Sequence, residues 1–498
     1  MNRLQEDFVK LRDSKEGKDR IKNLLKKDEE NIERYLAPWI HFSKDAEHVY
    51  PSQGLLITPH DYISYESLQM LPQERIVQTL RMRMFFLTMF NHPYRMKFLY
   101  NVDKSDFSLP PKVQSDVVER SLADGLAFSI GDLGATVVGG EKARTSRTER
   151  YAQGPFVKLG RQARSIFVGS ASPDVWNSAA AIATMAASHC LSAIPRNGLT
   201  SEIKRQVDLA GEVFDWLERI EKAVLKGRKD RRKIAAYWQK NVCGTLSADP
   251  AKALERAIAL YKAGVRSFRV YSPEPGSGVV TTVKSLRKEF GQKVEIFAGQ
   301  IVSVVQAKAV QAAGADGLFV GIGGGGRCIT GVRSGSVVDW PELVWQLRGE
   351  VNIPVIVEGG ASDHIATTLL LGASGIGVSR AVSGGTIESP GGALYCSDKS
   401  GKLFKPYGGE ASARTKYLDG KLMPFNIPAF VEGETTKAQM NYVKFTQPTL
   451  TYNLHLLNED AILALVFRNV GSVEELHKLD PSPLRRLTNE GNFQRNTH

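Results

Sequence analysis

Between residues 161 and 378 the chain alternates two rhythms. Short, uninterrupted apolar runs are separated by longer stretches in which apolar residues recur every three or four positions. An unbroken apolar run of four or five residues is the pattern of a strand covered on both faces. The three-to-four spacing is that of a helix with one buried side. The runs Ile166–Ser170, Leu191–Ile194, Val242 onward, Ser267–Tyr271, Val294–Ala298, Gly317–Val320, Pro354–Val357 and Gly375–Val378 predict eight strands. Helices are predicted at Ser178–Ser188, Ser201–Ile220, Pro250–Ala263, Val279–Phe290, Val302–Ala313, Trp340–Arg348 and Asp363–Leu371. Strands joined through amphipathic helices pair in parallel by right-handed crossovers, and eight such units close a barrel. The pattern therefore predicts an α/β fold, a (β/α)8 TIM barrel with an N-terminal helical extension and a C-terminal flap and tail. An open doubly wound sheet is the alternative, disfavoured because no GxGxxG opens a helix after the first strand.

The flanks are less regular. Residues 1–45 are strongly charged, with helical spacing at Leu4, Phe8, Leu11, Ile21, Leu24 and Leu25, and predict a helical arm. A solvated helix packed on the barrel is favoured there over a subunit contact. Residues 46–160 carry mixed signals; the polar run Glu141–Arg150 after Gly139-Gly140 suggests a surface loop. Residues 161–498 form the barrel domain, with a flap at about 400–433.

Composition narrows the class. At 42% hydrophobic and 24% charged residues the chain can bury a sizeable core. No apolar run approaches the roughly 20 residues that cross a bilayer, and the N-terminus has no apolar signal-peptide core. Cys190, Cys243, Cys328 and Cys396 are widely spaced without a CxxC pair. This favours a reducing, cytoplasmic setting over a disulfide framework or zinc site. The net charge of +12 suits an acidic partner. The basic run Lys222–Lys240 offers Tyr237 and Trp238 as stacking groups for nucleic acid, although a solvated helical face is favoured.

In a barrel, chemistry sits on the loops that follow the strands. Here those loops are Gly169–Ser172, Pro273–Gly276, Gly299-Gln300, Gly321–Thr330, Glu358-Gly359-Gly360 and Ser379-Arg380. Glycine fills five of the six positions 321–326. Such a run costs ordering entropy and permits positive φ and close approach of N–H groups to an anion. Cys328, beside Arg327, has the electropositive setting that favours thiolate, which makes it a candidate nucleophile. A flexible loop with an incidental cysteine is the alternative. Gly359-Gly360 and Ser379 close the last two strands, where barrels commonly hold phosphate; a tight turn is the alternative for the glycine pair. Arg380 fits either a phosphate partner or an ordinary salt-bridge residue.

The segment Ala312-Ala-Gly-Ala-Asp-Gly-Leu-Phe-Val-Gly-Ile-Gly-Gly-Gly-Gly-Arg-Cys-Ile-Thr330 resembles the signature of the IMP dehydrogenase / GMP reductase family, close to GADxxxVGxGxGSxCxT. Ala298–Val302 is similar to GGNVV, Pro354–Gly360 to PVIADGG, Ile387–Gly391 to EEAPG and Gly401–Gly408 to KxYRGMGS. Ile427–Gly433 looks like VPEGIEG, and Ser472–His477 with Arg486–Gly491 resembles the family's C-terminal motifs. The resemblance implies a homotetrameric oxidoreductase acting on a purine nucleotide with NAD or NADP. Cys328 would attack C2 of the purine. In the dehydrogenase hydride then leaves to NAD and the adduct is hydrolysed; in the reductase ammonia is lost and NADPH reduces the adduct.

By the same resemblance Thr330, Glu388, Lys416 and Tyr417 join Cys328 as catalytic groups. Ser170, Gly326, Glu358, Gly359, Gly360, Ser379, Arg380 and Tyr407 face the nucleotide, and Ser272, Gln300, Gly321 and Gly323 face the cofactor. Carbonyls of Gly323, Gly325 and Cys328 match the family's potassium site. Several positions depart from the pattern. Gly326 stands for a phosphate-binding serine, Glu358 for a ribose-binding aspartate, Ser272 for an aspartate near the nicotinamide and Gln300 for the asparagine of GGNVV. Ser379-Arg380 stands for Gly-Ser, and Lys416-Tyr417 for the Arg-Tyr pair that activates water. Lysine does not reproduce a guanidinium. Only about 45 residues separate Asn197 from Val242, too few for the regulatory module many dehydrogenases insert. Dehydrogenase is the favoured reading and reductase its closest alternative. A catalytically weak nucleotide-binding relative and a nucleic-acid-binding protein complete the alternatives.

Overall fold

The computed structural model describes residues 67–124, 128–130, 147–170, 172–272, 277–321, 335, 337–420, 422–424, 427–429, 431–439, 449–486 and 489. The expected arm at 1–45 lies outside them. Eight parallel strands close into one barrel: β1 (Phe167–Gly169), β2 (Leu191–Ile194), β3 (Val242–Ser247), β4 (Ser267–Tyr271), β5 (Glu295–Ile301), β6 (Gly317–Val320), β7 (Val355–Val357) and β8 (Gly375–Val378). The closing pair is β8 on β1, with Ile376 opposite Phe167 and Val378 opposite Gly169. The apolar runs are strands because both faces are covered, inward by the barrel interior and outward by helices such as Ala179–Ala187 and Gly278–Phe290. Several helices begin on a side-chain cap: Ser178 accepts from the Ala181 N–H, and Asp249 from those of Ala251 and Lys252.

The floor of the barrel is polar. The hairpin Phe156–Leu159/Gln162–Ser165 brings Arg164 under the strands. Its guanidinium forks onto Glu295 of β5, Nη1 to Oε1 at 3.0 Å and Nη2 to Oε2 at 2.6 Å. Burial alone would raise the Glu295 pKa. The Arg164 charge, with hydrogen bonds from Arg164, the Arg161 N–H and Ser267, outweighs it and holds the carboxyl below its ordinary 4.5. A depressed folded-state pKa contributes stability that is fully present above the unfolded value and lost as pH falls through the folded one. Urea unfolding of the wild type is therefore expected to weaken with acidification below about pH 4.5, with a shallower slope in Glu295→Gln. Equal slopes for the two proteins would show that Glu295 does not carry the effect.

The polar run 141–150 and the basic run 222–240 differ in part from the sequence expectation. Arg147–Gln153 is a helix with Arg150 buried, so the polar run ending at Arg150 is not loop throughout. The interval between Asn197 and Val242 is filled by a turn at Gly198–Thr200 and the helices Ile203–Val224 and Arg231–Lys240. Within the second helix Tyr237 and Trp238 are not stacking groups for a nucleic acid. Both are buried; the Tyr237 hydroxyl donates to Asp103 and the Trp238 Nε1 to Asn91. The basic residues around them are partly neutralised, Arg228 by Asp230 and Arg231 by Glu221, while Lys233 lies 3.7 Å from the Tyr100 ring centroid. The helix is amphipathic, with its aromatics in the core.

Beyond the barrel, Ser67–Met70, Leu394–Ser397, Leu403–Gly408 and Thr435–Gln439 form a four-stranded antiparallel sheet in that order. Helix Leu450–Phe467 packs on Gln73–Phe90, Ala179–Ala187 and Ile365–Leu371. Among the described residues no helix is long and apolar enough to cross a membrane.

Candidate active site

The upper interior of the barrel is built around a charge pair. Along β4 the inward positions are Ser267, Arg269 and Tyr271: Ser267 reaches Glu295 at the floor, and Arg269 spans to Glu358 at the end of β7. Arg269 Nη1 donates to Glu358 Oε1 at 2.9 Å and Nη2 to Oε2; Gln300 Nε2 also donates to Oε2, at 2.9 Å. The guanidinium lies 4.1 Å from the Phe319 ring centroid and 5.0 Å from that of Tyr271. Burial pulls its pKa down, and the Glu358 carboxylate, aided by Tyr271 and Glu410, more than compensates, leaving it above the ordinary value. Several buried polar atoms around the pair have no hydrogen-bond partner: Arg269 Nε, Gln300 Oε1, Thr245 Oγ1 and Ser192 Oγ.

The strand ends meet at close range. Gly321 leaves β6 with φ +125°, and a Cβ there would stand 2.1 Å from the Glu358 carbonyl oxygen. Only glycine fits where the end of β6 meets the end of β7. The segment that follows, with Gly323, Gly325, Gly326, Cys328 and Thr330, lies outside the described residues. Ser272 and Gln300 tie β4 to β5: the Ser272 N–H donates to Gly299 O at 2.9 Å, and the Gln300 N–H to Ser272 O at 3.0 Å. Gly359 and Gly360 both have φ +90°. Ser379 keeps a buried Oγ without a hydrogen-bond partner, and Arg380 opens the short helix Arg380–Ser383. The Ser170 N–H donates to Val378 O, which seats Ser170 beside the end of β8.

The C-terminal segment covers one side of this mouth. Glu410 accepts from Arg196 Nη2 at 3.3 Å and from Asn197 Nδ2, and Asp419 accepts from the Gly198 N–H. Between them, helix Ala413–Leu418 carries Lys416 and Tyr417, both half-buried, against the Gly198–Thr200 turn. Tyr407 is partly buried against the main core. Glu388 is buried. Its carboxylate accepts from Thr449 Oγ1 at 2.6 Å and the Leu450 N–H at 3.0 Å, with Arg83 3.5 Å away. It thereby caps helix Leu450–Phe467.

Cys190, Cys243 and Cys396 are buried, and burial pushes each thiol up to about 12. None has the setting of a nucleophile. Among the described residues no group of three or more His, Cys, Asp and Glu side chains could hold a metal. Arg269, Arg196, Asn197 and Glu410 escaped the sequence reading. One signal was present: an arginine at an inward position of an otherwise buried strand demands an anionic partner.

The comparisons place this geometry. A family model described as "IMP dehydrogenase / GMP reductase domain" matches residues 162–438, just over half the chain. Inosine-5'-monophosphate dehydrogenase of Aquifex aeolicus is 32% identical over 193 residues, covering 36% of this chain and 38% of that protein. The Nitrosopumilus maritimus protein of the same name is 36% identical over 165 residues, covering 32% and 34%. Inosine-5'-monophosphate dehydrogenase 1 of Arabidopsis thaliana is 32% identical over 179 residues, 34% of each. The chain thus spans about a third of the length of these relatives. A closed eight-stranded barrel, a glycine-rich sequence after β6 and a family match across both carry one conclusion: the chain belongs to the IMP dehydrogenase / GMP reductase domain family.

Proposed function

We propose that the protein is a purine nucleotide oxidoreductase that oxidises IMP to XMP, with Cys328 as the nucleophile at purine C2. The observation that carries this reading is the junction of β6 and β7, where Gly321 lies against Glu358. Cys328 follows that junction by seven residues in the sequence, and the junction borders a mouth lined by a carboxylate, the positive-φ glycines 359 and 360, and the buried, unpartnered Ser379 hydroxyl. A nucleotide fits such a mouth with its phosphate on the backbone N–H groups near Gly360 and Ser379 and its sugar on Glu358. Ser170, Arg380 and Tyr407 complete its surroundings. The Cys328 thiolate adds to C2, the hydrogen at C2 leaves with its electron pair, and water cleaves the C–S bond to release XMP. NAD, when bound, supplies the hydride acceptor.

Ser272 and Gln300 border the space beside the nucleotide, and the buried Gln300 Oε1, without a partner, suits a cofactor amide or hydroxyl donor. Thr330 and the Lys416-Tyr417 pair are assigned to the water step; potassium at Gly323, Gly325 and Cys328 follows from the family resemblance. A homo-oligomer and a cytoplasmic location belong to the same reading. GMP reduction with NADPH is the second reading, favoured by the interval between Asn197 and Val242, which holds two helices in place of a regulatory module.

The test is direct. Purified protein is incubated with IMP and NAD, or GMP and NADPH, and the absorbance of the reduced cofactor is followed. Appearance of NADH with the first pair is expected. Consumption of NADPH with the second would assign the reductase, and silence with both would reject the enzymatic reading.

A further inference from the structure

We propose that Glu358 reads one sugar hydroxyl and not two, so that the site accepts a purine nucleotide lacking one of the two ribose hydroxyls. This rests on the purine-nucleotide reading above. An ionised carboxylate has two oxygens and about four lone-pair directions. A carboxylate free of other partners can take a vicinal diol with one hydroxyl on each oxygen. Glu358 is not free. The Arg269 fork takes one direction on each oxygen, and Gln300 Nε2 takes the second on Oε2. One direction remains, on Oε1, and the side chain keeps 11% of its surface exposed.

The neighbouring groups do not replace the lost acceptor. Gln300 Oε1 is buried from solvent and is assigned above to the cofactor; Thr245 Oγ1 and Ser192 Oγ are buried as well. The Arg269 side chain is 3% exposed and donates only. Nor can Glu358 swing outward to recover both oxygens. Its Cγ fills the space over Gly377, where a Cβ would stand 2.6 Å away, and its backbone is fixed by the Glu358 N–H to Val320 O bond at 2.9 Å. Arg269 and Gln300 are therefore specificity-determining residues that act through Glu358.

The experiment is equilibrium binding of IMP, 2'-deoxy-IMP and 3'-deoxy-IMP to the whole protein by calorimetry, which needs no turnover. One deoxy analogue is expected to bind within about threefold of IMP. The other is expected to bind on the order of 10- to 100-fold more weakly, the loss of a hydrogen bond to a charged acceptor. Equal loss for both analogues, or loss for neither, overturns the proposal while leaving nucleotide binding intact. Failure of IMP itself to bind overturns the purine-nucleotide reading along with it. Gln300→Met supplies the second arm. It opens another lone pair on Oε2, so the tolerated analogue should fall about tenfold relative to IMP. An unchanged ratio in this variant, with IMP still bound, also overturns the assignment.

Discussion

Cys328→Ala is expected to lower kcat by at least about 10,000-fold while leaving IMP binding within about threefold of wild type, because the substitution removes the proposed nucleophile and not the mouth. The described cysteines explain why no other thiol can substitute. Cys190, Cys243 and Cys396 are buried with pKa values near 12, so at neutral pH almost none of each is thiolate. Cys243 is the nearest alternative, since its side chain faces Arg269 and Arg164 inside the barrel, yet burial dominates over both charges. Stopped-flow absorbance of the reduced cofactor checks the rate, and calorimetry checks the binding. Peptide mapping after alkylation adds an independent readout, with IMP expected to protect Cys328 selectively. Normal turnover by the alanine variant would remove the chemistry proposed here.

The second large effect concerns stability. Arg269→Met should destabilise the fold by about 3–5 kcal/mol, because it strands the Glu358 carboxylate in the barrel with one remaining donor, Gln300. The pair itself is a different matter. Two charges have been taken out of water, with side-chain exposures of 3% and 11%, and their attraction offsets that cost without exceeding it greatly. The double variant Arg269→Met/Glu358→Met is therefore expected to recover most of the loss, as measured by urea midpoints at constant m-value. A double variant as unstable as the single would mean that Arg269 acts through packing on Phe319 and Tyr271. Activity is a separate readout, since the double variant lacks the proposed sugar contact even when folded.

The barrel was legible because its strands are short, mostly apolar runs between amphipathic helices: Ser267–Tyr271, Gly317–Val320 and Gly375–Val378 match the observed strands residue for residue. Its ends were legible too, as glycine at 321, 359 and 360 marks backbone that other residues avoid. What the sequence concealed is long-range. Nothing local to Arg269 names Glu358 as its partner, and nothing in Glu388 says that it caps a helix beginning at Leu450. Glu388 was read through a motif; its neighbours in space come from Thr449 and Arg83, far away along the chain. Tyr237 and Trp238 show the same limit, since aromatic residues within a basic run look identical whether they face solvent or a neighbouring helix.

The four-stranded sheet has a practical consequence. Ser67–Met70 is its outer strand, laid along Leu394–Ser397, and Leu71 continues the contact by donating its N–H to Ala393 O. A shortened chain that starts at Pro72 would strip that strand away and leave a raw β-edge beside the segment that covers one side of the mouth. Such a protein should self-associate or add a stray strand. Residues 67–71 thus support the C-terminal sheet, and trimming them would be felt more than 300 residues further along the chain.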